Sequence, residues 1–228
     1  MGWLEMPQGE NQSDGGAVVC VCVDDNYAPG ALVALKSAKQ NTMAVDCGLS
    51  KESIDAFRAS ISDVVIMSGD FSETRSGLAK ATQNETLTHA MYGRLLAPEI
   101  VPARTRRLVY IDADMLVVDS LEPLFTMNLH EGVGAVEDTW VDPDHARALV
   151  GADSSVPWNH RSYLKSGVLV IDVAIWRSRQ VSEYALDYVR ARPKLRSPDQ
   201  DALNMHTLYD SYQQDHPVSE EKSGKEEL

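Results

Sequence analysis

Hydrophobic positions along this chain fall into two alternating kinds of run. Short, largely apolar stretches recur at AVVCVCV (Ala17 to Val23), VVIM (Val64 to Met67), RLVYI (Arg107 to Ile111), GVGAVED (Gly132 to Asp138) and GVLVIDV (Gly167 to Val173). Their length and β-branched content predict strands, and the first reads as a strand buried on both faces. Between them the spacing turns helical. Pro29 suits the first turn of a helix, and Leu32, Leu35 and Lys36 carry the pattern to Asn41. Ser50 reads as the N-cap of a second helix with Ile54 and Phe57 facing inward. Leu87, Met91, Arg94 and Leu95 mark a third, which should end before Pro98. AIWRSRQVSEYALDYVRAR is the longest helical pattern, and SPDQDALNMHTLY predicts a short helix opening at Ser197 or Asp199.

Strands alternating with helices predict an α/β fold with a mostly parallel sheet flanked by helices. Residues 1–16 are polar and Gly-containing and read as a flexible tail. Residues 17–212 read as a single domain, and residues 213–228 as an acidic, disordered tail. No internal repeat is evident.

Composition narrows the function. A hydrophobic fraction of 43% in 228 residues supports a full core, while a formal net charge of −13 argues against nucleic acid as a partner. An anionic small ligand stays compatible if a metal or local arginines neutralise it. Three cysteines are too few for a disulfide framework. Cys20 and Cys22, two apart on a strand, point to one face and read as small core residues. No stretch reaches the roughly 18 apolar residues of a membrane span. The N-terminus lacks the basic and apolar regions of a signal peptide, so a cytoplasmic protein is expected and the sequons at Asn11 and Asn84 carry little weight.

The candidate chemistry lies at strand ends. In parallel α/β sheets ligands bind beyond the carboxyl ends of the strands. Three acidic clusters fall there: Asp24-Asp25, Asp112 with Asp114, and Asp138. A buried carboxylate needs compensation, by a metal ion, a buried arginine or an opening to a cleft. A D-x-D triplet alone is weak, and Asp142-Pro143-Asp144 reads as a chance match in a loop. The Asp112/Asp114 pair differs because a strand precedes it and apolar residues follow. In an extended segment both carboxylates would project to one side and could share a Mg²⁺ or Mn²⁺ ion.

VCVDDNYAPGALVALKSAKQNT, YGRLLAPEIVP, RLVYIDADMLVVDSLEPLF, GVLVIDVAIWR and DQDALN occur in the order found in glycosyltransferase family 8, which the chain resembles from about Val18 to Asn204. The resemblance implies a GT-A fold and a retaining transfer of glucose or galactose from UDP-glucose or UDP-galactose with Mn²⁺ (or Mg²⁺). It also implies roles. Asp24, Asn26 and Tyr27 would hold uridine, with Tyr27 stacking on the base and Cys22 lining the pocket. Arg94 would reach the sugar and diphosphate. Asp112 and Asp114 would bind the metal, Asp114 through both oxygens, with the Ala113 backbone near the ribose. Asp138, Ser166 and Gly167 would cradle the hexose, and Asp199 and Gln200 would lie beneath its anomeric carbon. Gln200 is a poor nucleophile, which favours a front-face route.

The pattern is departed from in three places. Only MAVDCGL (Met43 to Leu49) is available for a strand the family carries there, which predicts a very short strand and a weakened sheet edge. Lys165 stands where the family has an asparagine that hydrogen-bonds the hexose, exchanging a donor–acceptor for a donor. The family's C-terminal His, Gly and Lys motif has no match after Asn204, and His206 and His216 lack its context, a solvated tail being the expectation for both. An incomplete gene product is thus one expectation. Two hypotheses result: a UDP-hexose-dependent retaining transferase, or a truncated or catalytically impaired UDP-sugar-binding protein with a scaffold role. A nucleotidyltransferase-like enzyme is a third, opposed by Tyr27 and the D-Q-D segment. The partners implied are a nucleotide-sugar donor and an acceptor that is a glycan, a lipid or a protein.

Overall fold

A computed structural model describes residues 16–39, 41–68, 89–129, 132–142, 144–145, 149, 163–192 and 195–215. Its strands are β1 (Ala17–Val23), β2 (Thr42–Asp46), β3 (Val65–Ser68), β4 (Arg107–Ile111), β5 (Val133–Glu137) and β6 (Leu164–Asp172). Its helices are α1 (Ala28–Ala38), α2 (Lys51–Ser60), α3 (Gly93–Ile100), α4 (Glu122–Thr126), α5 (Val173–Ser178), α6 (Val181–Ala191) and α7 (Pro198–Asp215), with a 3₁₀ turn at His89–Tyr92 before α3. One six-stranded sheet runs in the order β3-β2-β1-β4-β6-β5. β3, β2, β1 and β4 pair in parallel, and β6 is antiparallel to both β4 and β5. The mostly parallel, helix-flanked α/β architecture is therefore as predicted.

The period-two rule sorts β1 onto two cores. Cys20 and Cys22 join Met43, Val45 and Leu108 on the face covered by α3, α5, α6 and α7. Val19, Val21 and Val23 pack on the other face with the alanines of α1 and with Phe57 of α2. All three cysteines are free and buried. Burial pushes the Cys22 thiol well up, which keeps it neutral. The reading of Cys20 and Cys22 as small core residues agrees with this.

Four local expectations need correction. The strand within MAVDCGL starts one residue earlier and spans five residues, and it is an interior strand between β1 and β3. The sheet edge on this side falls on β3, whose first three residues are partly buried and whose last, Ser68, is exposed. The third helix does not stop before Pro98; α3 contains that proline and runs to Ile100. At its end the Arg177 guanidinium donates to the carbonyls of Pro98 (2.8 Å) and Val101 (3.0 Å), satisfying acceptors that the last turn leaves open. The longest helical pattern is two helices, α5 and α6, broken where Gln180 takes a left-handed conformation (φ 53°). Trp176 and Val181 are thereby both buried on either side of the break. The last helix, expected to be short, has 18 residues and passes Tyr212, where the tail was expected to begin.

Of the tails expected at residues 1–16 and 213–228, residues 1–15 and 216–228 lie outside the described residues, as do His216 and both sequons. His206 is not solvated: it is buried on α7, edge-on to Tyr184 with ring centroids 5.1 Å apart. None of the helices among the described residues is long and apolar enough to cross a membrane.

Candidate functional site

The topology brings four strand ends to one edge. The carboxyl ends of β1, β4 and β5 and the amino end of antiparallel β6 lie together, and the N-terminal turn of α7 packs against the start of β6. Asp24, Asp112 and Asp138 each follow one of these strands directly.

Arg94 is the centre. Its side chain is about nine-tenths buried, and its guanidinium meets Asp112 Oδ1 at 2.9 Å and Asp199 Oδ2 at 3.0 Å. It also donates to the carbonyl and hydroxyl of Ser166, at 2.8 and 3.0 Å, and lies over the Tyr110 ring. The buried arginine is thus the compensating partner for the strand-end carboxylates. Burial works against its charge, but Tyr110, Asp199 and Asp112 more than offset that and hold it protonated. Asp112 is pulled both ways. Burial raises its pKa, and the attraction of Arg94 and the Tyr110 hydroxyl bond (2.8 Å) do not fully cancel the rise. Among the described residues, one guanidinium faces two carboxylates at this centre.

A second chain of hydrogen bonds runs outward from it. The Ser166 hydroxyl lies 3.2 Å from Asp199 Oδ2, and the Ser166 backbone N–H donates to Gln200 Oε1 at 2.9 Å. Gln200 Nε2 then donates to Asp138 Oδ2 at 3.1 Å. An N–H must donate and a carboxylate must accept, so the two neighbours fix which way the amide faces. Lys165, next to Ser166, is exposed, and on a strand it points to the opposite face. It does not join the Arg94 cluster.

The Asp112/Asp114 segment differs in form from the expectation. The strand ends at Ile111, and Met115 N–H closes a turn on the Asp112 carbonyl at 3.2 Å. The pair therefore sits on a turn and not in an extended segment. Asp112 is half-buried and Asp114 exposed. A Cβ at Gly167 would come within 2.8 Å of Asp112 Oδ2, so a larger residue there would displace that carboxylate. Helix α1 backs the same turn: a Cβ at Gly30 would meet the Ala113 carbonyl at 2.7 Å, and Ser37 Oγ accepts from Val117 N–H at 2.9 Å.

The segment after β1 forms the other wall. Asp24 Oδ1 accepts from Asn26 N–H at 3.0 Å, and Tyr27 at the start of α1 is 46% exposed, so it is not a core aromatic. Asp25 is spent structurally: it accepts from Ser50 N–H and Ser53 Oγ at 2.8 and 2.7 Å, tying the start of α2.

Sequence reasoning missed the supports of this site. Tyr110, near the end of β4 and two residues before Asp112, donates its hydroxyl to Asp112 Oδ1 at 2.8 Å, a pairing that the spacing alone suggests. Spacing could not have found Asp201 and Asn204. Asp201 is fully buried and accepts from the Tyr163 hydroxyl and Ser197 N–H, with His145 Nε2 at 2.9 Å. Asn204 pairs with the Leu164 backbone as a neighbouring strand would, accepting its N–H at 2.7 Å and donating to its carbonyl at 2.9 Å. Among the described residues, no group of three or more His, Cys, Asp or Glu side chains is arranged to hold a metal.

A mostly parallel sheet with acidic turns at its strand ends and a buried arginine beneath them is the framework of an α/β protein with a ligand site at that edge, and the sequence places it more narrowly. Residues 18–215 match the profile of glycosyl transferase family 8, and the chain belongs to that family. It is 26% identical over 213 residues to general stress protein A of Bacillus subtilis, covering 86% of this chain and 70% of that protein. It is also 26% identical over 197 residues to a lipopolysaccharide 1,2-glucosyltransferase of Escherichia coli, covering 82% of this chain but 57% of that enzyme. Among solved structures it resembles the galactosyltransferase LgtC, crystallised with donor and acceptor sugar analogues, with a TM-score of 0.69 at 24% identity over 84% of this chain and 70% of that one. Mouse xyloside xylosyltransferase 1 shares the fold at a TM-score of 0.54 and 14% identity, over 89% of this chain and 82% of that one. The GT-A fold and the family expected from the motifs are therefore correct.

Proposed function

We propose that the chain is a metal-dependent, retaining hexosyltransferase that takes glucose or galactose from a UDP-sugar. One observation carries the reading. Arg94, Asp112, Ser166 and Asp199, with Gln200 and Asp138 beyond them, come from five separate segments and form one hydrogen-bonded cluster at the ligand-binding edge of the sheet.

Roles follow from the chemistry of each group. Tyr27 offers an exposed ring to the uracil, with Asp24 and Asn26 on the same turn to hold uridine and Cys22 beneath. The Ala113 backbone would face the ribose. Arg94 supplies positive charge where sugar meets diphosphate, while Ser166, Gly167 and Asp138 cradle the hexose. Asp199 and Gln200 line its underside. Gln200 is neutral and tied at both ends of its amide, so it orients the sugar and shields a developing cationic centre without attacking it. Departure of UDP breaks the anomeric C–O bond. The acceptor hydroxyl oxygen then bonds to that carbon from the same face, and its proton passes to the departing diphosphate.

The donor set suits a hard divalent ion. Asp112 keeps Oδ2 beside the gap that Gly167 leaves, Asp114 is exposed on the same turn, and two carboxylates plus substrate phosphates are a common Mg²⁺ or Mn²⁺ arrangement. Such an ion would offset the charge of the leaving diphosphate. The Arg94–Asp112 pair favours the second reading, a UDP-sugar-binding protein with impaired transfer, because that pair already engages one oxygen of a metal-motif carboxylate. Glycan, lipid and protein acceptors fit both readings.

Calorimetry of UDP with and without Mn²⁺, followed by hydrolysis of UDP-glucose and UDP-galactose, separates the readings. UDP binding that needs Mn²⁺ and is followed by turnover supports the transferase. The same binding without turnover supports the impaired form, and no UDP binding under either condition removes both.

A further inference from the structure

The three cysteines of the chain converge in one core, on the face of the sheet that α3 covers. Cys20 and Cys22 are two apart on β1 and share that face. Cys22 pairs across the ladder with Val45 of β2, which places Cys47, two residues further on, diagonally beside it. Cys22 is the middle member, its thiol in hydrogen-bond contact with both Cys20 and Cys47.

The start of α3 rests on the second of these contacts. A Cβ at Gly93 would meet Cys22 Sγ at 2.9 Å and Cys47 Sγ at 3.0 Å, so both sulfurs border one notch, and Gly93 fills it. The next residue is Arg94, whose guanidinium bridges Asp112 and Asp199. The thiol pair therefore lies directly against the backbone that carries the central cation of the site. Two thiols in contact can do what two alanines cannot, which is to close into a disulfide. Diagonal neighbours stand wider apart than the Cα atoms of a relaxed disulfide, so closing this pair takes a backbone shift. Cys47 lies just past the last residue of β2, and Gly93 sits over both sulfurs, so the shift falls on those two places.

We propose that Cys22 and Cys47 are a redox switch, which a peroxide closes into a disulfide that displaces the start of α3 and with it Arg94. Cys47, at the strand end, attacks first. It loses its proton to water, its sulfur bonds to one peroxide oxygen, the O–O bond breaks and hydroxide departs, leaving a sulfenic acid on Cys47. The Cys22 sulfur then displaces the sulfenic hydroxyl, which leaves as water with the Cys22 proton. The two sulfurs together give up two electrons, and the peroxide is reduced to two waters. This device goes beyond the transferase reading, because the covalent step needs no sugar nucleotide.

The full chain, reduced and freed of reductant, is treated with hydrogen peroxide in the absence of denaturant. Free thiols should fall from three to one, peptide mapping should join Cys22 to Cys47, and dithiothreitol should restore all three. Amide exchange in the first turn of α3 should quicken in the oxidised form. UDP with Mn²⁺ should bind it about tenfold more weakly, the scale of one lost charge-assisted contact. Cys47→Ala and Cys47→Ser should bind UDP as the reduced parent does and keep that affinity in peroxide, while Cys20→Ala should still form the bridge. Three thiols that persist, a bridge that uses Cys20 or joins two chains, or one that forms only in denaturant overturns the switch. So does a Cys22–Cys47 disulfide that leaves exchange in α3 unchanged. If the reduced parent does not bind UDP, the donor reading falls, and the thiol count and the exchange still decide the switch.

Discussion

Strands β1 and β6 flank β4 on opposite sides and both meet the site, yet they bring polarity to it differently. β1 is apolar over its whole length, and its polar residues begin only where the strand stops, at Asp24. Its turn leaves Tyr27 exposed, so a ligand there would meet groups already in contact with water. β6 carries its polarity inside the fold. Ser166 is buried on the strand, facing a buried arginine and the buried carboxylate of Asp199, while Asp201 and Asn204 lie buried behind it on α7. The first wall can be altered one residue at a time. The second is a network whose members depend on one another.

That contrast predicts the largest effect at Arg94. Arg94→Met removes the guanidinium that bridges Asp112 and Asp199 and leaves two carboxylates in a poorly solvated place. Breaking a buried pair in this way costs about 3–5 kcal/mol, to be read as a lower denaturant midpoint. A loss under about 1 kcal/mol, the scale of a surface pair, would mean that the cluster is effectively solvated. Asn204→Leu comes next. It leaves the Leu164 N–H and carbonyl unpaired, at about 1–3 kcal/mol, and should loosen β6 against α7, visible as faster amide exchange at Leu164.

On the β1 side the expected effects are on binding and not on folding. Tyr27→Ala should weaken UDP by about 1–2 kcal/mol with the unfolding midpoint unchanged, and Tyr27→Phe should cost little. Equal losses for the two would assign the interaction to the hydroxyl.

The smallest effect sharpens the boundary between the two walls. Burial holds the folded pKa of Asp112 above the ordinary carboxylate value. Ionising it therefore opposes folding. That cost is absent below the unfolded pKa, about 4, where both states are protonated, and it grows as pH rises from there towards the folded pKa. In the absence of metal, Asp112→Asn should match the parent near pH 3 and become relatively more stable towards neutral pH. The reverse trend would show that the Arg94 pair outweighs the burial of Asp112.

How much was legible in the sequence follows the same division. The strands were readable because a doubly buried strand is a continuous apolar run, and the acidic strand ends were readable because carboxylates there break that run abruptly. The five ordered motifs then indicated the family. What could not be read depends on partners far away in the chain. Pro98 sits inside a helix whose last carbonyls are capped by Arg177, a partner nearly eighty residues away. The helix pattern after β6 breaks at Gln180, and no glycine or proline marks that point. Asp112 and Asp114 have the spacing of an extended pair but lie on a turn, since β4 ends with its last backbone pair to β6 at Ile111. Asp201 and Asn204 read as ordinary polar residues of a helix, and only the fold reveals them as buried anchors of the start of β6.

The central claim is that the turn after β4 holds a divalent ion shared with a bound diphosphate. Asp114→Asn tests it most directly, because Asp114 is exposed and can lose its charge without disturbing the Arg94 network. Titrating UDP into the parent and this variant, each with and without Mn²⁺, should show Mn²⁺-dependent binding in the parent and none in the variant, with equal unfolding midpoints. A variant that binds UDP and Mn²⁺ as the parent does would contradict the account.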